Sequence, residues 1–200
     1  EYSNYGFLLL GLVVQKASGQ DYYDYVREHI FKPAGMNSTD SLPEDQAVPG
    51  RSVGYTKMND KREWLANLDT LPYRGTSAGG GYSTVEDLLA FANALQNHKL
   101  LDAKYVDLLT TGKVERPGGG SKYGYGFGDE VSADGVRCFG HGGGAPGMNG
   151  GSKDMPAIQL CDRCPGKPRS AGRRARLGFH HGALAERLAL HRRMNKFDLA

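Results

Sequence analysis

The sequence predicts a mixed α/β (α+β) chain in which helices come first and short strands follow. Two observations carry this. Four stretches set apolar residues at helical spacing between capping and stop signals, and two later β-prone runs flank a turn signal. Residues 5–17 read as a helix with Asn4 as N-cap and Gly19 as stop. It is apolar nearly all round, which predicts burial. A second helix starts near Asp21, where Tyr22, Tyr25, Val26 and Ile30 recur at helical spacing, and Pro33 is expected to end it. Residues 33–82 read as mostly irregular, and so long an irregular stretch tends to carry function. Ser83-Thr84-Val85-Glu86 has the pattern of a capping box. The helix it opens is expected to reach Asn97, with Val85, Leu88, Leu89, Ala92 and Leu95 on its apolar face. Asp102 begins a shorter helix that stops at Gly112. After the Pro117–Gly120 loop, strands are expected at Tyr123–Phe127 and Val136–Gly140, with Asp134-Gly135 as their turn.

A chain of 200 residues can bury one domain core. Its formal charge of +3 selects no partner, but the charge is unevenly placed. Residues 151–200 hold 11 Lys+Arg against 4 Asp+Glu, which leaves 14 basic and 18 acidic groups in residues 1–150. The expected division is therefore 1–150 as one domain and 151–200 as a basic tail. Cys138, Cys161 and Cys164 are too few, and odd in number, for a disulfide framework. The longest apolar run, Phe7–Val14, falls short of the roughly 20 residues of a membrane span.

Four patterns could carry chemistry. Tyr2-Ser3-Asn4 combines a potential proton acceptor with an amide, although alone it equally describes a helix start. His141-Gly142-Gly143-Gly144 follows a predicted strand. Glycines there let a backbone approach a ligand, and the His can donate a proton or hold a carboxylate; a plain turn is the competing reading. Gly75-Thr76-Ser77-Ala78-Gly79 matches Gly-x-Ser-x-Gly in form but lacks the strand before and the helix directly after that a nucleophile elbow needs. Cys161-x-x-Cys164, with His180, His181 and His191, is spaced too widely for the usual zinc pairs.

Taken together and in order, the patterns resemble the serine β-lactamase-like family, which includes class C β-lactamases, related esterases and D-Ala-D-Ala peptidases. The residues carrying the resemblance are Tyr2-Ser3-Asn4 opening a helix, the Pro33-Ala34-Gly35-Met36 turn, the "SAGGGYSTVED" segment, and "YGYGFG" followed by "HGGGAPGMNG". They span residues 1 to about 150. The resemblance implies a partial β-lactamase/transpeptidase-like fold, an antiparallel sheet flanked by helices, incomplete at both ends. It implies a serine hydrolase acting on an ester, amide, β-lactam or peptide through an acyl-enzyme, with the oxyanion held by two backbone amides. Tyr2 would be general base or proton relay, Asn4 would orient substrate and lysine, and His141 would contact the substrate carboxylate or the Tyr, with Gly142, Gly143 and Gly144 lining the pocket. His in place of Lys in the third motif leans toward an esterase or peptidase. No metal or organic cofactor is implied, no nucleic-acid partner is expected, and a periplasmic or secreted location would suit the parent family.

One departure is severe. The family's nucleophile lies in Ser-x-x-Lys upstream of Tyr-x-Asn, and no Ser in this sequence has Lys three residues later. The expectation is a fragment whose first motif lies upstream of Glu1. A noncatalytic protein binding acyl or peptidyl ligands is the alternative. After Gly150 the family continues with an apolar strand and a final helix, whereas this tail is Arg-rich with little strand signal. Codons permitted for Leu160–Ser170, read one base on, spell Phe-Val-Ile-Ala-Val-Leu-Ala-Asn-Leu-Asp, the family's closing phrase. A one-base shift near Gly150–Lys153 is the hypothesis; a basic appendage for an acidic partner is its competitor. Residues 182–193 are expected to form a basic amphipathic helix.

Overall fold

The computed structural model describes residues 2–57, 63–133, 135–148, 157–161 and 174–178, the last two segments through their backbone. Helix α1 (Asn4–Ser18) leads the chain. Its N-cap is Ser3, whose Oγ accepts from the Gly6 amide at 3.2 Å, so Asn4 is the first helical residue rather than the cap. The shorter hydroxyl of Ser3 reaches the orphan amide three residues on. Gly19 closes the helix at φ +71°.

Helix α2 (Tyr22–Val26) is capped by Asp21, which accepts from the Tyr23 amide at 2.9 Å. It widens into a π-helical turn at Arg27–Phe31 and passes through Pro33 as α3 (Lys32–Ala34). Pro33 thus does not end it. Proline lacks an N–H and crowds the preceding turn, and the widened turn lies just before it. Termination falls to Gly35 at φ +81°, with the Met36 amide donating to the Phe31 carbonyl at 2.9 Å.

The described residues of 37–84 are largely irregular, as expected. They contain a two-residue ladder of β1 (Tyr55–Thr56) with β2 (Leu65–Ala66) and a 3₁₀ turn at Leu68–Thr70. Polar side chains hold this region in place. Arg27 Nε donates to both Asp40 oxygens at 3.1 and 2.9 Å. Asp87, buried in the first turn of α4 (Val85–Gln96), accepts from the Ser38 amide and the Thr39 hydroxyl, each at 2.7 Å. The cap of α4 is Thr84, which accepts from the Asp87 amide. Ser83 is drawn away from the expected capping box by its 2.7 Å hydrogen bond with Thr39.

Helix α5 (Ala103–Thr110) precedes an antiparallel sheet of β3 (Val114–Glu115), β4 (Ser121–Tyr123), β5 (Gly128–Val131), β6 (Arg137–His141), β7 (Ala157–Cys161) and β8 (Arg174–Gly178), paired in chain order. The expected strand Tyr123–Phe127 is divided. Pairing ends at Tyr123, Gly124 and Gly126 form a turn, and the chain returns as β5. Phe91, Ala92 and Leu95 of α4 and Val106 of α5 pack on Phe127 and Phe139, while Ala34 and Met36 pack on Ala94 with Phe31, Phe91 and Leu100. Asp129 fastens α5 to the sheet, accepting from the Gly112 amide at 2.8 Å and Arg137 Nε at 2.7 Å; Arg137 Nη2 donates to the Thr110 carbonyl.

One expectation about the later chain differs from what is found. Strands do lie beyond Gly150: β7 pairs with β6 and β8 with β7. Ala-Ile-Gln-Leu-Cys alternates well enough to pair with the open edge of β6, and the Arg-Ala-Arg-Leu-Gly of β8 has the charge typical of an edge strand. Cys138 is disulfide-bonded, a single bridge rather than a framework. The β6–β7 register, which sequence spacing does not disclose, sets its backbone opposite Cys161. Cys164, His180, His181, His191 and the expected helix 182–193 lie outside the described residues. Among the described residues, no helix is long and apolar enough to cross a membrane.

Candidate active site

The start of α1 and the end of β6 meet. The Tyr2 ring lies 6.0 Å from the His141 ring and 5.5 Å from Phe7, centroid to centroid. The Ser3 cap fixes the chain direction just after Tyr2, and the β5–β6 register fixes His141 at the strand end. The structure therefore brings together the first and last of the motifs read from the sequence. It adds a residue that the sequence reading placed in a motif without a role. Tyr123, at the end of β4, places its hydroxyl 2.9 Å from His141 Nε2 and its ring edge-on to Tyr2 (6.1 Å, 87°) and to His141 (5.8 Å, 77°).

Register explains the meeting of Tyr123 and His141. Tyr123 pairs with Gly128, and Gly128 with Gly140, the neighbour of His141. Gly128 also leaves room for a charge: a Cβ there would come within 3.2 Å of Arg116 Nη1, and the Arg116 guanidinium stands 5.9 Å from the Tyr123 ring. Burial raises the Tyr123 phenol above its ordinary value, and Tyr2 adds to the effect, while Arg116 pulls the other way. The cluster thus holds two phenols, an imidazole and a nearby guanidinium. It is equipped to pass protons and to hold an anionic or carbonyl oxygen.

Asn4 sits in the first turn of α1 with its side chain exposed. Gly142, Gly143 and Gly144 form an exposed, non-helical run after β6, and a side chain at Gly143 would meet open space. The far end of this run is anchored. Buried Asn67 donates from Nδ2 to the Pro146 carbonyl at 2.8 Å, and Gly147, at φ +73°, lies so close to Tyr55 that a Cβ would approach its carbonyl oxygen to 2.8 Å. Beside this anchor lies a cavity of about 630 Å³, whose lining includes Asp40, Arg51, Asn67, Tyr82 and Met148. Arg51 is paired with Glu44 there.

Ser77 is no part of the cluster. Its hydroxyl donates to the Phe7 carbonyl at 2.8 Å, in a tight loop closed by Thr76 and Gly79, and α4 begins only at Val85. The Gly-x-Ser-x-Gly match is thus a docking contact beneath α1.

Comparison with known proteins gives the family and the fold. The Beta-lactamase family model matches residues 1–153, and the chain belongs to that family. It is 30% identical over 129 residues to the putative penicillin-binding protein PbpX of Bacillus subtilis, covering 64% of this chain and 31% of that one. The penicillin-binding protein of Bacillus halodurans superposes with a TM-score of 0.70 at 31% identity, over 81% of this chain and 47% of that one. A D-stereospecific amidohydrolase from Streptomyces gives 0.67 at 27% identity, over 80% and 46%. The fold is that of the β-lactamase/transpeptidase group. The chain spans about a third of the length of PbpX and of penicillin-binding protein 4* of Bacillus subtilis, and less of the other curated relatives it matches.

Proposed function

We propose that this chain is the substrate-facing part of a serine hydrolase that cleaves ester, amide, β-lactam or peptide bonds through an acyl-enzyme. The observation that carries the reading is the convergence of Tyr2 and His141, motif residues 139 positions apart in the numbering, on one cluster beside the Gly142–Gly144 run. Tyr2 acts as proton acceptor or relay, Asn4 orients substrate, and His141 holds the substrate carboxylate or exchanges a proton with Tyr2. Membership of the Beta-lactamase family and the likeness to an amidohydrolase support hydrolysis as the reaction type. The serine and lysine of the resembling family's first motif have no counterpart in this sequence.

A fusion that supplies a Ser-x-x-Lys-bearing segment from a penicillin-binding relative, ahead of Tyr2, tests this. The fusion should become covalently labelled by a fluorescent penicillin, and Tyr2→Phe should slow acylation by about 10²-fold or more. A folded fusion that takes no label would count against the hydrolase reading. The second reading is a noncatalytic binder of acyl or peptidyl ligands, for which the Tyr2, Tyr123 and His141 cluster would supply contacts without a nucleophile. Reversible penicillin binding without acylation of the fusion would support it.

A further inference from the structure

We propose that Tyr123 is a positioning residue for His141: its hydroxyl donates to Nε2, so the neutral imidazole carries its proton on Nδ1 and presents that N–H to the ligand. The geometry stands by itself; only its use in substrate binding rests on the hydrolase reading above. Hydroxyl and Nε2 are 2.9 Å apart, within hydrogen-bond range. Distance alone permits either direction. The chemistry of the pair decides. A phenol O–H, with an ordinary pKa of about 10, is far more acidic than a neutral imidazole N–H. The imidazole lone pair is also a better acceptor than a phenol oxygen, whose electrons are shared with its ring. A phenol facing a neutral imidazole therefore runs O–H to N.

The surroundings reinforce this. Burial and the neighbouring Tyr2 keep Tyr123 protonated through neutral pH. The edge-on packing of Tyr123 against both Tyr2 and His141 places its phenol oxygen beside Nε2. The groups facing the pair are Tyr2 from the start of α1 and Arg116 beyond β3, while β5 presents Gly128 between them in register. Histidine free in water prefers its proton on Nε2, so the pairing inverts the ordinary tautomer. The consequence is directional. With Nε2 occupied, Nδ1–H is the remaining donor of the ring, suited to the carboxylate or carbonyl oxygen of an acyl or peptidyl ligand. Tyr123 touches His141 and orients it.

The test reads the tautomer without turnover. The full chain, labelled with ¹⁵N, is examined at neutral to mildly alkaline pH by long-range ¹H–¹⁵N correlation, with His141→Gln to assign the ring. His141 should show a protonated Nδ1 and an unprotonated Nε2. Tyr123→Phe keeps the ring and removes the hydroxyl, and should shift the tautomer ratio severalfold toward Nε2–H, as expected for loss of one hydrogen bond worth about 1 kcal/mol. Tyr125→Phe, at an exposed tyrosine of the same turn, should leave the ratio as in the parent chain. A parent chain with Nε2–H dominant, a ratio indifferent to Tyr123→Phe, or His141 signals of an unfolded chain would each overturn the proposal. Acylation of the fusion reports on the hydrolase reading separately, so one can fail while the other stands.

Discussion

Gly11 is the buried residue of α1, and the reason is Ser77. A Cβ at Gly11 would overlap the Ser77 hydroxyl and approach its Cβ to 2.8 Å. That hydroxyl already donates to Phe7 of the same helix. Gly11→Ala therefore displaces a hydrogen-bonded side chain, and overpacking of this kind costs about 1–3 kcal/mol. In a urea titration Gly11→Ala should lower the midpoint. Adding Ser77→Ala should recover part of the loss, since it removes the nearer atom, the hydroxyl, while the Cβ stays 2.8 Å away. Strict additivity would show that the two residues do not touch in solution.

Residue identity also explains what could be read in advance. Tyr2, His141 and the glycines after it were legible because their types and order are distinctive. The part of Tyr123 was not, because a tyrosine among glycines announces no partner, and its contact with His141 depends on a register passing through Gly128. The Ser3 and Thr84 caps were each missed by one residue. Neighbouring Asn, Ser and Thr all qualify as caps, and only side-chain reach separates them.

Among elements, α1 departs furthest from expectation. An all-round apolar helix should be buried, yet Leu9, Leu10, Leu12 and Val13 are 45%, 57%, 61% and 59% exposed. Composition reports what a helix can bury; the contacts present decide what it does bury. Here the packed side is the one toward Ser77 and Tyr22. The exposed leucines contribute little to the stability of this chain, so Leu9→Gln, Leu10→Gln and Leu12→Gln should each change it by no more than about 0.5 kcal/mol. The triple variant should also show weaker fluorescence of a hydrophobic dye. A cooperative loss of fold would mean that this face is covered in solution. Helix α2 carries a second lesson. Proline marked the end correctly to within two residues, but the widened turn at Arg27–Phe31 let the helix pass it.

At the scale of the molecule, the two helical clusters and the sheet share one core through Phe91. Three tyrosines bear on its alkaline stability. Burial is the leading cause of raised values at Tyr22, Tyr82 and Tyr123, so each keeps its proton in the folded chain at a pH where the unfolded chain has lost it. Stability from these groups is fully present below about pH 10 and falls as pH rises through their folded values. Urea midpoints measured from pH 8 to 11 should be level at first and then decline. A midpoint that rises above pH 10 would contradict the assignment.

The order of motifs and the family-specific fold were legible across residues 1–153, where side-chain types define the family. The later strands were not, because the pairing of β7 and β8 depends on the open edge of β6 more than on their own composition. The central proposal is that Tyr2, Tyr123 and His141 form the ligand-facing side of an acyl-transfer site; no Ser-x-x-Lys occurs in this sequence. Intact-mass measurement of the chain after incubation with penicillin tests it most directly. The account predicts no covalent adduct on the chain itself and a single penicilloyl adduct on the Ser-x-x-Lys fusion. A stoichiometric adduct on the unfused chain, mapped to Ser77 or any other residue, would contradict it.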